Sequence, residues 1–217
     1  MRSLLRLLIL ALLCINTAAA QSPSVTVSGN QLLVDGAPHA IKGICYHPVP
    51  KGAVARSFER SEGDLALMRA AGVNTLRVYA PIADVAVLDQ IHATGMKVII
   101  GFGYNQNGRY DIQSGTFLEY VERLKDHAAI LMWELGNEYN YHPEWFEGDV
   151  RRWYRAMNTA AAEIHRRDPA HPVSTAHGEL PDALALQSSP NIDVWGVNLY
   201  RWDHPAEVFQ QWLQLSS

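Results

Sequence analysis

The sequence predicts an α/β fold, a (β/α)8 TIM barrel of which about the first six β/α units are present, with a short N-terminal hairpin. Short apolar runs alternate with amphipathic segments from residue 41 onward. The runs are almost continuously apolar, as in parallel strands buried on both faces. Their starts recur at intervals of about 30 residues, the length of one unit of such a barrel. With 48% hydrophobic and 18% charged residues over 217 positions, the chain can build one sizeable core.

Residues 1–20 are predicted to be a secretory signal peptide. A short basic head is followed by an apolar run over residues 7–15 and then by Ala18, Ala19 and Ala20, a small-residue cleavage pattern. The run is shorter than the ~20 apolar residues that span a bilayer, so we expect cleavage and not anchoring. The mature protein is therefore expected to be secreted or periplasmic and free of the membrane.

Residues 21–40 are predicted to be an N-terminal segment and hairpin, and residues 41–217 a partial barrel. The hairpin runs through residues 31–41 and turns at Asp35-Gly36, a dipeptide typical of two-residue turns. Six strands, each rich in Val, Ile, Leu and aromatic residues, are expected over residues 41–46, 74–79, 97–102, 129–135, 172–176 and 192–199. Helices fill the gaps and include residues 61–71, a segment ending at Gly95, residues 147–167 and residues 205–215.

The first predicted helix carries signals at both of its ends. Ser61 and Asp64 are spaced as in a capping box, and Gly72 follows the last helical residue. We therefore expect the Ser61 side chain to cap the helix and Gly72 to end it.

Two architectures use this alternation, the open doubly wound sheet and the closed barrel. The turn after the first strand, residues 47–52, contains two prolines and cannot offer a row of backbone N–H groups to a phosphate, so dinucleotide binding is excluded. An eight-unit barrel takes ~250 residues, and residues 41–217 hold only about six units. We therefore expect the chain to be a piece of a longer barrel protein.

Charge and motif content exclude several classes of function. The net charge is -4 with no long basic run, so nucleic acid is not an expected partner. The chain lacks the His and Cys spacings of metal sites and the Gly-x-Ser-x-Gly elbow of serine esterases, so no metal and no cofactor are expected. His142 with Glu144 and Glu147 is interpreted as a solvated loop, and Cys45, in an apolar strand, as a packing residue.

Polar and aromatic side chains collect where the predicted strands end, which is where barrels of this kind build their active sites. They are His47, Arg77, Tyr79, Tyr104, Asn137, Glu138, Tyr139, Tyr141, His177, Glu179, Asn198, Tyr200, Arg201 and Trp202. Aromatic faces stack on the apolar faces of sugar rings, and amides and charged groups bind hydroxyls. The set therefore suits an oligosaccharide or polysaccharide substrate.

Three segments carry a resemblance to a known group of enzymes. Residues 133–138 (WELGNE), residues 74–79 (NTLRVY) and Asn198-Leu-Tyr200 resemble the retaining glycoside hydrolases of clan A. Within that clan, residues 42–47 (KGICYH) and Asn198-x-Tyr200 are most similar to the barrel domain of family two, with families five and seventy-two as close competitors. The resemblance extends over residues 31–212.

The resemblance implies roles for individual residues. Glu138 matches the general acid/base, and Asn137 the amide that bonds the sugar 2-hydroxyl. Arg77 and Tyr200 match residues that hold the nucleophilic carboxylate, with a structural ion pair as the alternative for Arg77. Further substrate contacts are expected from Asn198, Trp202, Tyr104 and His47. Glu134 is interpreted as support for the site, with a direct catalytic role as the alternative, and strand alternation points it to the same face as Glu138.

A retaining mechanism needs a second carboxylate ~5 to 5.5 Å from the first. The resemblance places it after a seventh strand, which residues 1–217 do not contain; Glu179 lies at the correct end of the barrel but at a position the family does not use. The sequence therefore predicts a secreted hydrolase or transglycosidase of β-linked glycosides whose nucleophile is missing from this chain. The alternative is a non-catalytic or vestigial carbohydrate-binding barrel fragment. The sequence does not predict an oligomeric state.

Overall fold

The computed structural model describes residues 24–105, 109–201 and 204–215; the predicted signal peptide and Trp202 lie outside them. The strands are β1 (Val25–Ser28), β2 (Gln31–Val34), β3 (Ala37–Pro38), β4 (Gly43–Cys45), β5 (Thr75–Val78), β6 (Lys97–Phe102), β7 (Ile130–Asn137), β8 (Val173–Gly178) and β9 (Val194–Asn198). The α-helices are α1 (Ser61–Ala70), α2 (Val85–Ala93), α3 (Phe117–Leu124), α4 (Val150–Arg167), α5 (Ala183–Ser188) and α6 (Glu207–Leu215). Two short 3-10 helices, Tyr139–Tyr141 and Pro143–Phe146, follow β7.

Strands β4 to β9 form one parallel sheet in which each strand pairs with the next along the chain. Helices α1 to α5 connect the consecutive strands from β4 to β9 and pack on one face, so the sheet curls as the wall of a half-barrel. The predicted α/β class and parallel order are confirmed; closure into a full eight-strand barrel stays a prediction. Among the described residues, no helix is both long and apolar enough to cross a membrane.

The main core lies between the central strands and the helices. Strands β6 and β7 are buried almost throughout, and α3 presents Phe117, Tyr120, Val121 and Leu124 to them. Trp133, fully buried on β7, stacks on Phe102 with ring centres 5.9 Å apart and donates from Nε1 to Asp168 Oδ2 at 2.6 Å. The rigid centre of the sheet therefore ends at Phe102 and Asn137, where the polar residues begin.

A three-stranded antiparallel sheet, β1 to β3, lies at the amino-terminal ends of the parallel strands. Its β2 and β3 pair on either side of Asp35 and Gly36, which both have positive φ. The backbone N–H of Val25 donates to the carbonyl of Ala170 at 2.9 Å. The buried Val25 packs against a second apolar cluster formed with Ile99, Leu131 and Met132. This cluster packs the N-terminal sheet against β6 and β7.

The predicted capping box at α1 is wrong. The helix begins after Arg60 with no side-chain cap, because both predicted capping groups are engaged elsewhere. Ser61 Oγ donates to Gln90 Oε1 at 2.7 Å, and Asp64 Oδ2 accepts from the Tyr46 hydroxyl at 2.8 Å. The other end is as predicted: Gly72, with φ of +82°, follows the last turn.

Cys45 is not a buried packing residue, which corrects the sequence interpretation. It lies on β4, an outermost strand of the parallel sheet whose three residues are all exposed. Its Sγ accepts a hydrogen bond from Arg77 Nη1 at 3.6 Å. Among the described residues β4 pairs with β5 alone, and this leaves Cys45 exposed.

Candidate active site

A cleft of about 270 Å³ opens at the carboxyl ends of β5, β6 and β7. Its lining consists of Tyr79, Gly101, Phe102, Gly103, Glu134, Gly136, Asn137, Glu138, Tyr139, His142 and Trp145. Gly101 forms part of its floor, where a Cβ would lie 2.6 Å from the carbonyl oxygen of Val78. Only glycine fits there, so the floor of the cleft is bare backbone.

The end of β7 departs from regular strand geometry, and this departure places the acidic residues. The register with β8 shifts between Glu134 and Asn137, and both Gly136 and Glu138 have positive φ, 70° and 56°. Glu134 and Glu138 both line the cleft, as expected, but through this irregular turn and not through simple strand alternation. A non-glycine residue held in the left-handed region is costly and is found mainly at functional sites.

Glu138 lies at the mouth of the cleft and is held there by residues of β8 and β9 and by Tyr200. Its Oε1 accepts a hydrogen bond from Asn198 Nδ2 at 2.8 Å and a second from the Tyr200 hydroxyl. Its backbone N–H donates to the carbonyl of Ala176 at 2.7 Å. The hydrogen bond to Glu138 raises the pKa of Tyr200, so this phenol remains a donor at neutral pH. Contacts from β8 therefore fix the backbone of Glu138, and Asn198 and Tyr200 fix its carboxylate through Oε1.

Glu134 lies deeper and forms an ion pair with Arg77. Arg77 Nε lies 2.9 Å from both carboxylate oxygens, and Nη2 lies 2.6 Å from Oε1. The two side chains are only 15% and 6% exposed. Burial raises the pKa of Glu134 and the hydrogen bonds of Arg77 oppose it; burial alone would lower the pKa of Arg77, but the contacts with Glu134 outweigh it and raise that pKa. We infer that the pair is ionised, because each charge is satisfied at hydrogen-bond distance.

The amide of Asn137 is oriented by two donors. Its Oδ1 accepts from Arg77 Nη2 at 2.9 Å and from Asn198 Nδ2 at 3.3 Å. With the oxygen fixed in this way, the amide nitrogen is the group turned toward the cleft that Asn137 lines. A donor beside Glu138 suits a sugar hydroxyl.

Exposed aromatic rings surround this polar network. Tyr79, Tyr141, Trp145 and Tyr200 are 42%, 48%, 53% and 64% exposed. The ring of Tyr141 lies against Gly178, where any side chain would collide with it. Tyr79 stacks under the Arg77 guanidinium, which lies 4.6 Å from its ring centre. Trp145 was not expected at the site, because it lies in a 3-10 helix beyond the strand end and follows no strand or helix period.

The structure joins five of the predicted site residues in one network: Arg77, Asn137, Glu138, Asn198 and Tyr200. Tyr104 and His47 lie apart from it. Tyr104 packs against Phe146 and Trp153, with ring centres 5.2 and 6.1 Å away, and does not line the cleft. His47 is exposed and meets only the edge of Tyr79, at 6.4 Å. Trp202 lies outside the described residues.

Three further glutamates, which follow β7 and β8, are already paired. Glu179 Oε2 accepts from Arg201 at 2.8 Å, and its Oε1 accepts from the backbone N–H of Tyr200 at 3.3 Å. His142 Nδ1 lies 2.8 Å from Glu144 Oε1, and Glu147 pairs with Arg152. Within residues 24–105, 109–201 and 204–215, no group of three or more His, Cys, Asp or Glu side chains could hold a metal ion.

Gly136 is a sensitive position, because it combines a positive φ with close packing. A Cβ there would lie 2.5 Å from Cζ2 of Trp153. We expect Gly136→Ala to lower the free energy of unfolding by about 1–3 kcal/mol. Chemical denaturation checks this, with Gly63→Ala in α1 as the control, since Gly63 has open space and helical geometry. Equal stability of Gly136→Ala and the unaltered protein would contradict this description of the turn.

Comparison with known proteins places the fold among one group of enzymes. No family model matches the sequence. The chain is 27% identical over 211 residues to the β-glucuronidase of Rattus norvegicus, across 89% of this chain and 30% of that protein. It resembles a glycosyl hydrolase family 2 member from Bacteroides cellulosilyticus DSM 14838, with a TM-score of 0.64 and 22% identity, across 87% of this chain and 26% of the other.

A second solved structure with a similar fold is also a glycoside hydrolase of family 2. The family 2 β-galacturonidase of Eisenbergiella tayi superposes with a TM-score of 0.68 and 21% identity, across 89% of this chain and 35% of that one. The chain therefore has the fold of one segment of these glycoside hydrolases. It spans roughly a third of their length or less.

Proposed function

We propose that the full-length protein is a secreted, retaining glycoside hydrolase of clan A that cleaves or transfers β-linked glycosides with Glu138 as general acid/base. The observation that carries the proposal is the setting of Glu138: a fixed carboxylate in an open cleft, beside an amide donor and among exposed aromatic rings. The likeness to the β-glucuronidase of Rattus norvegicus supports the same reaction class.

The contacts of Glu138 fit the work of an acid/base. Asn198 and Tyr200 occupy Oε1, so Oε2 is the atom left to face the glycosidic oxygen. In the first step the carboxylic acid gives its proton to that oxygen as the bond to the sugar breaks and the nucleophilic carboxylate forms a bond to the sugar carbon. In the second step the Glu138 carboxylate takes a proton from a water whose oxygen bonds to the sugar carbon and displaces the nucleophile. Asn137 Nδ2 would meanwhile bind the sugar hydroxyl next to the reacting carbon.

The nucleophile is proposed to lie outside residues 1–217. Retention requires a carboxylate ~5 to 5.5 Å from Glu138. Of the other acids at this end of the sheet, Glu134 is held by Arg77 and Glu179 by Arg201. These pairings favour supporting roles for both. The chain matches only 30% of its rat relative, which leaves ample sequence in such proteins to supply the missing group.

A second candidate function is carbohydrate binding without catalysis. Two ion pairs favour it: Glu134 is paired with Arg77 and Glu179 with Arg201, so neither carboxylate is free to attack a sugar. The same aromatic rim would bind glycans in either case.

Hydrolysis by the full-length protein separates the two candidates. The substrates are a panel of aryl β-glycosides of neutral hexoses, pentoses and uronic acids, and proton NMR reports the first-formed anomer. We expect release of at least one sugar with the β configuration retained. Binding of glycans without any hydrolysis would establish the second candidate, and release of the α anomer would contradict the retaining mechanism.

A further inference from the structure

The loop that follows Glu138 carries an exposed pair of stacked rings. His142 and Trp145 are parallel to within 6°, with ring centres 4.0 Å apart. Both line the cleft that contains Glu138 and Asn137. Tyr139 and Phe146 of the same loop are only 5% and 3% exposed, whereas Tyr141 and Trp145 are 48% and 53% exposed. The loop therefore buries two of its four aromatic rings and presents the other two, of which Trp145 lines the cleft.

The pair is held in position from two sides. His142 Nδ1 lies 2.8 Å from Glu144 Oε1, which fixes the plane of the imidazole. Trp145 meets the ring of Tyr139 edge-on, with centres 5.3 Å apart. Tyr139 in turn packs on Trp153 of α4, 4.8 Å away. A ring restrained in this way loses little conformational entropy when it binds a ligand, and this favours a binding role.

We propose that the stacked His142 and Trp145 form a binding platform for the sugar on the leaving-group side of the scissile bond. The inference rests on the proposed function, because it takes Glu138 as the proton donor. Glu138 must touch the oxygen that joins the two sugars, and Asn137, immediately before it, is the proposed contact of the sugar that reacts. His142 and Trp145 line the same cleft as Glu138, and on this proposal they bind the ring on the far side of the bond that breaks.

The chemistry of the platform selects a ring with an apolar face. An indole stacks on the C–H face of a pyranose, and the imidazole edge and Glu144 remain available for its hydroxyls. A leaving group without a ring gains nothing from this contact. The platform therefore discriminates between substrates by their leaving group and does not act on the bond that breaks.

The test compares two substrates of the full-length protein with the same reacting sugar: a β-linked disaccharide and the corresponding glycosyl fluoride. We expect Trp145→Ala to lower kcat/KM for the disaccharide about tenfold or more and to change that for the fluoride by less than about twofold. For Trp145→Phe we expect a loss on the disaccharide that is smaller than that of Trp145→Ala. For His142→Ala, as for Trp145→Ala, we expect kcat/KM to fall more for the disaccharide than for the fluoride. Leu67→Ala, which shortens an exposed apolar side chain on α1 away from the cleft, is the control.

The outcomes are distinguishable. An equal loss on both substrates, with Trp145→Phe behaving likewise, would mean that Trp145 acts only on the fold and would overturn the platform. No loss on the disaccharide would overturn it as well, while leaving the proposed function intact. If the unaltered protein hydrolyses neither the disaccharide nor the fluoride across the panel of sugars, the proposed function fails and the platform with it.

Discussion

Glu138→Gln is expected to lower kcat/KM for glycosides with poor leaving groups by about 10²- to 10⁴-fold, the usual contribution of a general acid/base. Gln keeps the shape of the side chain and can still accept from Asn198 and Tyr200, but it has no proton to give. A glycosyl fluoride needs little protonation, so its bond cleavage should suffer far less. The measurement is the ratio of kcat/KM values for the two substrate types.

Glu119→Gln is the matched control for this substitution, because Glu119 is an exposed carboxylate on α3, away from the cleft. It should leave both rates unchanged. A Glu138→Gln variant that loses both substrates equally would point to a structural role, and full activity would remove Glu138 from the mechanism.

Arg77→Met is expected to lower the free energy of unfolding by about 3–5 kcal/mol at neutral pH, because it leaves the buried carboxylate of Glu134 without its partner. The variant also removes a donor from Asn137. Urea denaturation of the full-length protein at several pH values measures the deficit relative to the unaltered protein.

The deficit should depend on pH in a defined direction. Burial raises the pKa of Glu134 above its unfolded value of about 4.3, and loss of Arg77 raises it further. A raised pKa means that stability is kept at low pH, where the group is protonated, and is lost as pH rises through the folded pKa. The deficit should therefore be small near pH 4 and grow toward pH 8.

A double variant separates charge from packing. Arg77→Met with Glu134→Gln removes both charges, so its deficit should be smaller at pH 8 and nearly independent of pH. If Arg77→Met alone showed a deficit that did not change with pH, the effect would come from lost packing and the ion pair would contribute little.

The sheet was predictable because its strands are strongly apolar and evenly spaced. The expected strand at residues 97–102 coincides with β6, and the others differ at their ends by a few residues. Failures occurred where tertiary contacts outweigh local signals. Ser61 and Asp64 have capping chemistry, but Gln90 and Tyr46, distant in sequence, engage them. Cys45 looked buried because sequence does not reveal how many neighbours a strand has.

At the site, sequence supplied the residues but not their arrangement. The motif around Asn137 and Glu138 and the positions of Arg77, Asn198 and Tyr200 were found from strand ends and resemblance, and their assigned roles stay predictions. For Arg77 the sequence leaves two alternatives open, holding the nucleophilic carboxylate or forming a structural ion pair, and it does not name Glu134 as the partner that the structure shows. Trp145 was missed because its exposure depends on the packing of the loop after β7, which no periodic pattern encodes.

The most direct test of the central claim uses Glu138→Ala with azide and an activated aryl β-glycoside. If Glu138 is the acid/base of a retaining enzyme, the sugar forms a bond to the nucleophilic carboxylate. This intermediate then hydrolyses slowly in the variant, because no base activates the water. Azide needs no base: its nitrogen forms a bond to the sugar carbon while the carboxylate leaves. The account predicts faster turnover with azide and a β-glycosyl azide product. Turnover unaffected by azide, or an α-glycosyl azide, would contradict it.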